Sequence, residues 1–222
     1  MPAALVLNHS LKQVNSKYPL VVTLTKDLAT KENLNIFQQE NIKVELIDKL
    51  NYGNELQEYA IDKLRYRKTV LNTASKIQIF NLINYEKLVY IDADTLVLQN
   101  IDDLFSFYDG AILWWNEPMS GLFVFEPKNH NYDLYRFLLH NCLDGSALAE
   151  FFFPARTNMD YRIPDSYMKN TLSINETKII HYDILKKPFF MTMDEAEIAI
   201  KKYPAYFYYF RYLMPFKKKY NL

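Results

Sequence analysis

Two aspartates after a predicted strand are the residues of this sequence best placed to do chemistry. Asp92 and Asp94 follow the apolar run 87–91, and only Ala93 separates them. Side chains two positions apart in an extended segment project to the same side. Carboxylates held side by side repel each other, so a nearby cation would stabilise them. A solvated turn is the alternative, but the preceding strand favours a site for Mg²⁺ or Mn²⁺, which prefer hard oxygen ligands.

A histidine and a lysine later in the chain are candidates for the same site. His181 follows the short apolar run 178–180, and an imidazole as third ligand would favour Mn²⁺ over Mg²⁺. Lys187 is followed by Pro188, and its ammonium group could neutralise a phosphate. Spacing alone leaves purely structural or exposed roles open for both residues.

The segments around these residues alternate between strand-like and helix-like patterns. This alternation predicts an α/β fold with a mixed, mainly parallel central sheet, helices on both faces and ligands at the carboxyl ends of the strands. The predicted strands are 20–24, 43–47, 87–91, 95–98, 111–115, 122–125 and 178–180, and the predicted helices are 3–12, 31–40, 75–83, 131–142 and 147–152.

The composition excludes several classes of protein. The chain of 222 residues suffices for one good-sized domain, and its 26 basic and 26 acidic residues argue against a nucleic-acid-binding protein. The 4 glycines lie too far apart for a dinucleotide-binding or P-loop motif. Cys142 is the one cysteine, which excludes an internal disulfide and a cysteine-based zinc site. Without a signal-like start or an apolar run of transmembrane length, we expect a cytoplasmic protein.

The end of the chain is aromatic and basic. We expect one domain over residues 1–200, followed by a distinct segment, 201–222, that is rich in Tyr, Phe and Lys. Pro204, Arg211 and Pro215 argue against a membrane-spanning helix. The segment is predicted either to pack an aromatic helix face on the domain or to make a peripheral membrane contact.

Four segments, in order along the chain, resemble glycosyltransferase family 8, the glycogenin-like enzymes. The longest, LVYIDADTLVLQNIDDLF at 88–105, contains both aspartates. The others are AALVLNHSLK at 3–12, SGLFVFEP at 120–127 and KIIHYDILKKPF at 178–189. The resemblance implies a GT-A fold, a nucleotide-sugar donor and a Mn²⁺ ion.

Carried over by position, the resemblance implies roles for nine residues. The metal ligands would be Asp92, Asp94 and His181. The donor would contact the backbone of Ala93 at its nucleoside, Lys187 at its diphosphate, and Ser120 and Gly121. The catalytic residues would be Lys76, facing the donor sugar, and Asp144, near the anomeric carbon.

The sequence departs from the family pattern at several places. The family has a strand before its first helix, and that strand helps to hold the nucleotide base; here the first predicted element is the helix. Four positions carry a different residue from the family's: Met119 for Asn, Gly145 for Gln, Ile184 for Gly and Phe189 for Trp.

The resemblance implies that the protein transfers a hexose, with glucose as a candidate, from a UDP-sugar to an acceptor with retention of configuration. Mn²⁺, or alternatively Mg²⁺, would assist departure of the diphosphate. The acceptor, which the sequence leaves open, would be a sugar, a protein or a lipid, and a homodimer is also left open. The alternative is a catalytically weakened relative that acts as a binding or scaffold protein. A haloacid dehalogenase-type phosphatase ranks last, because Thr95 comes one place too early for that motif.

Overall fold

The computed structural model describes residues 1–49, 74–115, 117–127, 159–170, 177–182 and 187–222. Its α-helices are α1 (Pro2–Gln13), α2 (Lys31–Gln39), α3 (Met193–Lys202) and α4 (Ala205–Tyr220). Its strands are β1 (Val21–Thr25), β2 (Lys43–Ile47), β3 (Leu88–Ile91), β4 (Thr95–Val97), β5 (Ile112–Trp115), β6 (Glu117–Phe125), β7 (Arg162–Ile163), β8 (Met168–Asn170) and β9 (Ile179–His181).

The described strands form three sheets with both strand directions. Strands β1 and β2 are parallel, and the second sheet has the order β3-β6-β5-β7. The third sheet has the order β4-β9-β8. Pairs β5/β7 and β8/β9 are parallel, whereas β3/β6, β5/β6 and β4/β9 are antiparallel. The predicted mixed α/β fold is therefore confirmed.

Most predicted elements in the described ranges are present, with shifts of one or two residues at their ends. Strand β6, however, begins five residues before the predicted strand 122–125, and β7 and β8 were not predicted. The predicted helix 75–83 is a 3₁₀ helix, Ala74–Asn81. Helix α3 was not predicted, although its start carries a recognisable signal: the hydroxyl of Thr192 accepts from the backbone of Glu195, and the Glu195 carboxylate accepts in return. The predicted helices 131–142 and 147–152 lie outside the described residues.

Helix α1 lies at the centre of the molecule's packing. Pro2 occupies its first turn, where a missing N–H costs nothing, and most of the helix from Ala3 to Ser10 is buried. Leu5, Val6 and Leu7 each belong to a different apolar cluster, so three parts of the core meet on this helix. A helix that is apolar nearly all round is stable only when it is surrounded.

Helix α4 packs its aromatic face against the domain, as one of the two sequence interpretations predicted. Its buried side chains are Tyr206, Tyr209, Phe210, Leu213 and Phe216, together with Ala205 at its start. Its other face leaves Phe207 and Tyr208 exposed. No helix in the described ranges combines the length and apolar character needed to cross a membrane.

Two buried tyrosines in the α4 core differ in their hydrogen bonding. The hydroxyl of Tyr182 donates to the Ala205 carbonyl at 2.7 Å, whereas the hydroxyl of Tyr209 has no partner among the described residues. An unpaired buried polar group costs free energy that its removal recovers. We therefore expect Tyr209→Phe to raise the free energy of unfolding by about 1 kcal/mol and Tyr182→Phe to lower it by about 1 kcal/mol.

Urea denaturation of the two variants beside the parent protein measures this difference. The variants are matched controls, because each loses one fully buried hydroxyl from the same cluster. An equal loss of stability in both would contradict the hydrogen-bond assignment.

Candidate metal centre

The turn Asp92-Ala93-Asp94 connects two of the sheets. Asp92 continues β3, and its backbone N–H donates to the Gly121 carbonyl of β6 at 3.0 Å. Asp94 comes directly before β4, whose first residue, Thr95, pairs with His181 at the end of β9. The carboxyl ends of β3 and β9 therefore meet at this turn, where an α/β fold places its ligand.

Asp92, Asp94 and His181 converge on one point, as the sequence predicts. The Nε2 atom of His181 lies 3.2 Å from Oδ1 of Asp94 and 3.5 Å from Oδ2 of Asp92. One ligand atom from each residue lies within 4.8 Å of the others. All three side chains are largely buried, with exposed fractions of 13% for His181, 17% for Asp94 and 27% for Asp92.

This donor set fits a divalent cation. Two ligands of one Mg²⁺-sized ion lie at most about 4.2 Å apart when each bond is about 2.1 Å long, and both measured distances to His181 fall within that span. Carboxylate oxygens and an imidazole nitrogen are ligands that proteins commonly use for divalent metals. The three residues are therefore able to hold such an ion.

Lys187 contacts one of the two carboxylates, that of Asp94. Its ammonium group donates to Oδ2 of Asp94 and, at 2.8 Å, to the carbonyl oxygen of Tyr182. Burial alone would raise the pKa of Asp94, but the hydrogen bonds and charges of His181 and Lys187 outweigh burial and hold that pKa well below its usual range. Asp94 is therefore ionised at neutral pH.

Gly121 provides the space in which the three ligands meet. A Cβ atom at this position would lie 3.2 Å from Oδ2 of Asp92 and 3.2 Å from Cε1 of His181. Both contacts are tighter than ordinary van der Waals distance, so even a methyl group would push on the site. Glycine is needed here for close approach rather than for an unusual backbone angle.

Two further residues, which the sequence analysis did not select, hold the turn in place. The hydroxyl of Tyr90 donates to Oδ1 of Asp92 at 2.6 Å, and the hydroxyl of Thr95 donates to the Asp92 carbonyl at 2.8 Å. Strand alternation was the available signal for Tyr90, since positions 90 and 92 share one side of an extended segment.

The other predicted residues lie at different distances from this centre. Lys76, in the 3₁₀ helix, places its ammonium group 5.5 Å from the centroid of the Tyr90 ring. Ser120 lies in β6 beside Gly121. Asp144 lies outside the described residues.

Ala93 is exposed on the turn and lines a cavity of about 300 Å³ between β1 and β3. The cavity walls are mainly apolar and include parts of α1, β1 and β3. Among the described strands, β1 pairs only with β2 and β3 only with β6, so the cavity separates two strand edges. Ala93 thereby places this cavity beside the turn that carries Asp92 and Asp94.

The sequence matches a known family. The model of "Glycosyl transferase family 8" matches residues 1–113, which is just over half of the chain. Human glycogenin-1 is 29% identical over 222 residues, and the match covers 89% of this chain and 61% of that protein. Galactinol synthase 7 of Arabidopsis thaliana is 35% identical over 106 residues, covering 48% of this chain and 30% of that protein.

The fold matches solved structures at much lower sequence identity. The bifunctional glycosyltransferase WbbM aligns with a TM-score of 0.58 and 14% identity, covering 96% of this chain and 47% of that one. At this identity the match shows the fold alone, and that fold is GT-A. The chain spans about three fifths of the length of human glycogenin-1.

A methyl group at position 121 should weaken metal binding. In Gly121→Ala the new Cβ would displace Asp92 or His181 by a few tenths of an ångström, because it would lie 3.2 Å from an atom of each. We expect about a tenfold loss of Mn²⁺ affinity, the lower end of what disturbed ligand positioning costs. Titration calorimetry with MnCl₂ measures the affinity, and thermal unfolding without metal checks that the fold persists. Unchanged affinity would show that the ligands do not meet where this geometry places them.

Proposed function

This chain belongs to glycosyl transferase family 8, and from that membership we propose that it transfers a hexose from a UDP-sugar to an acceptor with retention of configuration. The convergence of Asp92, Asp94 and His181 is the observation that carries the proposal. These three side chains form an anionic, largely buried centre at the edge where an α/β fold binds ligands. UDP-glucose is the first donor to test.

In this proposal the three convergent side chains hold a divalent cation, Mn²⁺ in preference to Mg²⁺. The ion would stabilise, as a Lewis acid, the negative charge that develops on the departing diphosphate. Asp94 is ionised at neutral pH, so its carboxylate is available to a cation once Lys187 turns away. Tyr90 and Thr95 keep the turn in one conformation through their hydrogen bonds to Asp92.

Lys187 is proposed to change partners when the donor binds. Its ammonium group now contacts Asp94, and its side chain is 30% exposed, so it can turn toward a phosphate without unfolding its surroundings. A cation on Asp94 would weaken the attraction between that carboxylate and the lysine. Lys187 would then supply a second positive charge to the leaving diphosphate.

The remaining donor contacts follow the predicted roles. We place the nucleoside at the backbone of Ala93, which lines the 300 Å³ cavity, and we assign donor contacts also to Ser120 and Gly121. Lys76 would face the sugar, and the carboxylate of Asp144 would stabilise the oxocarbenium-like carbon as its bond to the diphosphate breaks.

UDP titration with and without Mn²⁺ tests the proposal. We expect UDP to bind only when Mn²⁺ is present, and we expect Asp92→Asn and Asp94→Asn to lose that binding because each removes an anionic ligand. Asp103→Asn is the matched control: Asp103 accepts from Lys178 at 2.7 Å, much as Asp94 accepts from Lys187, but it is not part of the triad. UDP binding of equal affinity with and without Mn²⁺, or no UDP binding under either condition, would rule the proposal out.

A binding or scaffold protein is the second candidate. Gly145 stands where the family has a glutamine beside the proposed catalytic Asp144. In this second proposal the change lowers the rate of sugar transfer and leaves the binding of UDP and Mn²⁺ intact. A panel of UDP-hexoses, with water and with sugar, peptide and lipid acceptors, separates the two. Transfer or hydrolysis supports the enzyme, whereas Mn²⁺-dependent UDP binding without any turnover supports the scaffold.

Replacing the lysine should separate metal binding from nucleotide binding. Lys187→Met keeps the length of the side chain but removes the charge that pairs with Asp94. We expect Mn²⁺ to bind equally well or more tightly, because its competitor is gone, and UDP to bind at least tenfold more weakly in the presence of Mn²⁺. Calorimetry with each ligand in turn measures both affinities. Weaker Mn²⁺ binding with unchanged UDP binding would refute the assigned role.

A further inference from the structure

We propose that Tyr90 is a positioning residue of the metal centre, and this inference rests on the proposed function of that centre. Its hydroxyl holds one oxygen of Asp92 so that the other faces His181. The hydroxyl donates to Oδ1 of Asp92 at 2.6 Å, while Oδ2 lies 3.5 Å from Nε2 of His181. Tyr90 therefore selects the orientation of the Asp92 carboxylate before any ion arrives.

The ring of Tyr90 is itself held in place by the sheet. Tyr90 lies opposite Phe123 in the β3/β6 pair, and the two rings stack with centroids 4.7 Å apart and 20° between their planes. Phe123 is fully buried and contacts the rings of Phe80 and Phe125. The stacked ring leaves the Tyr90 hydroxyl little freedom to move. Its hydrogen bond therefore fixes the Asp92 carboxylate, and the hydroxyl does not simply adjust to wherever that carboxylate lies.

The two aspartates are restrained by partners of different charge. Asp94 accepts from the cationic Lys187, whereas Asp92 accepts from the neutral phenol of Tyr90. A neutral donor fixes the carboxylate without bringing a positive charge that would compete with a metal cation. Hydrogen bonds from an O–H group to a carboxylate at this length are among the stronger ones in proteins.

Tyr90→Phe tests the inference because it removes the hydroxyl and keeps the stacked ring. We expect the Mn²⁺ affinity, measured without nucleotide by the electron paramagnetic resonance signal of unbound Mn²⁺, to fall at least tenfold. Tyr167→Phe is the matched control: its hydroxyl donates to Asp103 at the same distance, 2.6 Å, away from the centre. The control should bind Mn²⁺ as the parent protein does.

A second measurement separates positioning from general damage. If the variant only binds Mn²⁺ more weakly, raising the Mn²⁺ concentration by the factor by which the measured affinity falls should restore UDP binding to the parent level, which a misfolded site would not allow. Parent-like Mn²⁺ affinity in Tyr90→Phe, or UDP binding that excess Mn²⁺ fails to restore, would overturn the role of Tyr90 and leave the proposed function standing. Absence of Mn²⁺ binding by the parent protein would overturn both.

Discussion

The mutual repulsion of two carboxylates is the constraint around which this molecule is arranged. Asp92 and Asp94 are held on one short turn and are largely withdrawn from water, so their charges are poorly screened. Three neighbouring groups reduce this repulsion. The imidazole of His181 lies near both carboxylates, the ammonium group of Lys187 contacts Asp94, and the phenol of Tyr90 donates to Asp92. Two carboxylates and an imidazole that lie this close together form a ligand set suited to a divalent cation.

The position of this turn depends on two strand registers. Ile91 pairs with Leu122 on one side, and Thr95 pairs with His181 on the other. A slip of one residue in either pair would turn the alternate side chains to the opposite face. Side chains on both faces of these strands are buried, for example Leu96 and Val97 in β4, so a slip would force the side chains of one apolar cluster into the space of another.

The C-terminal helix and the metal centre share a boundary at Tyr182. The backbone N–H of Tyr182 donates to the Asp94 carbonyl, and its own carbonyl accepts from Lys187. Its ring packs edge-on against Tyr206 and Tyr209 of α4. Burial raises the pKa of Tyr209 well above its usual value, and the negative charge of Asp94 raises it further. The electrostatic field of the site therefore acts on a side chain in the core around α4.

Local patterns in the sequence were enough to predict much of this protein. Short apolar, β-branched runs located most of the described strands, and strand geometry put Asp92 and Asp94 on one side. The motif containing them led to the family, and the family resemblance assigned roles to His181 and Lys187, which spacing alone had left open. Helix α3 was not predicted, although the capping pair Thr192 and Glu195 marks its start.

Only the tertiary structure decided which atoms meet at the site. The contacts of Asp94 with His181 and Lys187 join residues 87 and 93 positions apart, and no local pattern determines the register that brings them together. The same holds for the tight space at Gly121, which depends on two neighbouring strands and one histidine rotamer. Short-range periodicity reflects the geometry of a single strand or helix, whereas these contacts depend on how separate sheets pack against a shared core.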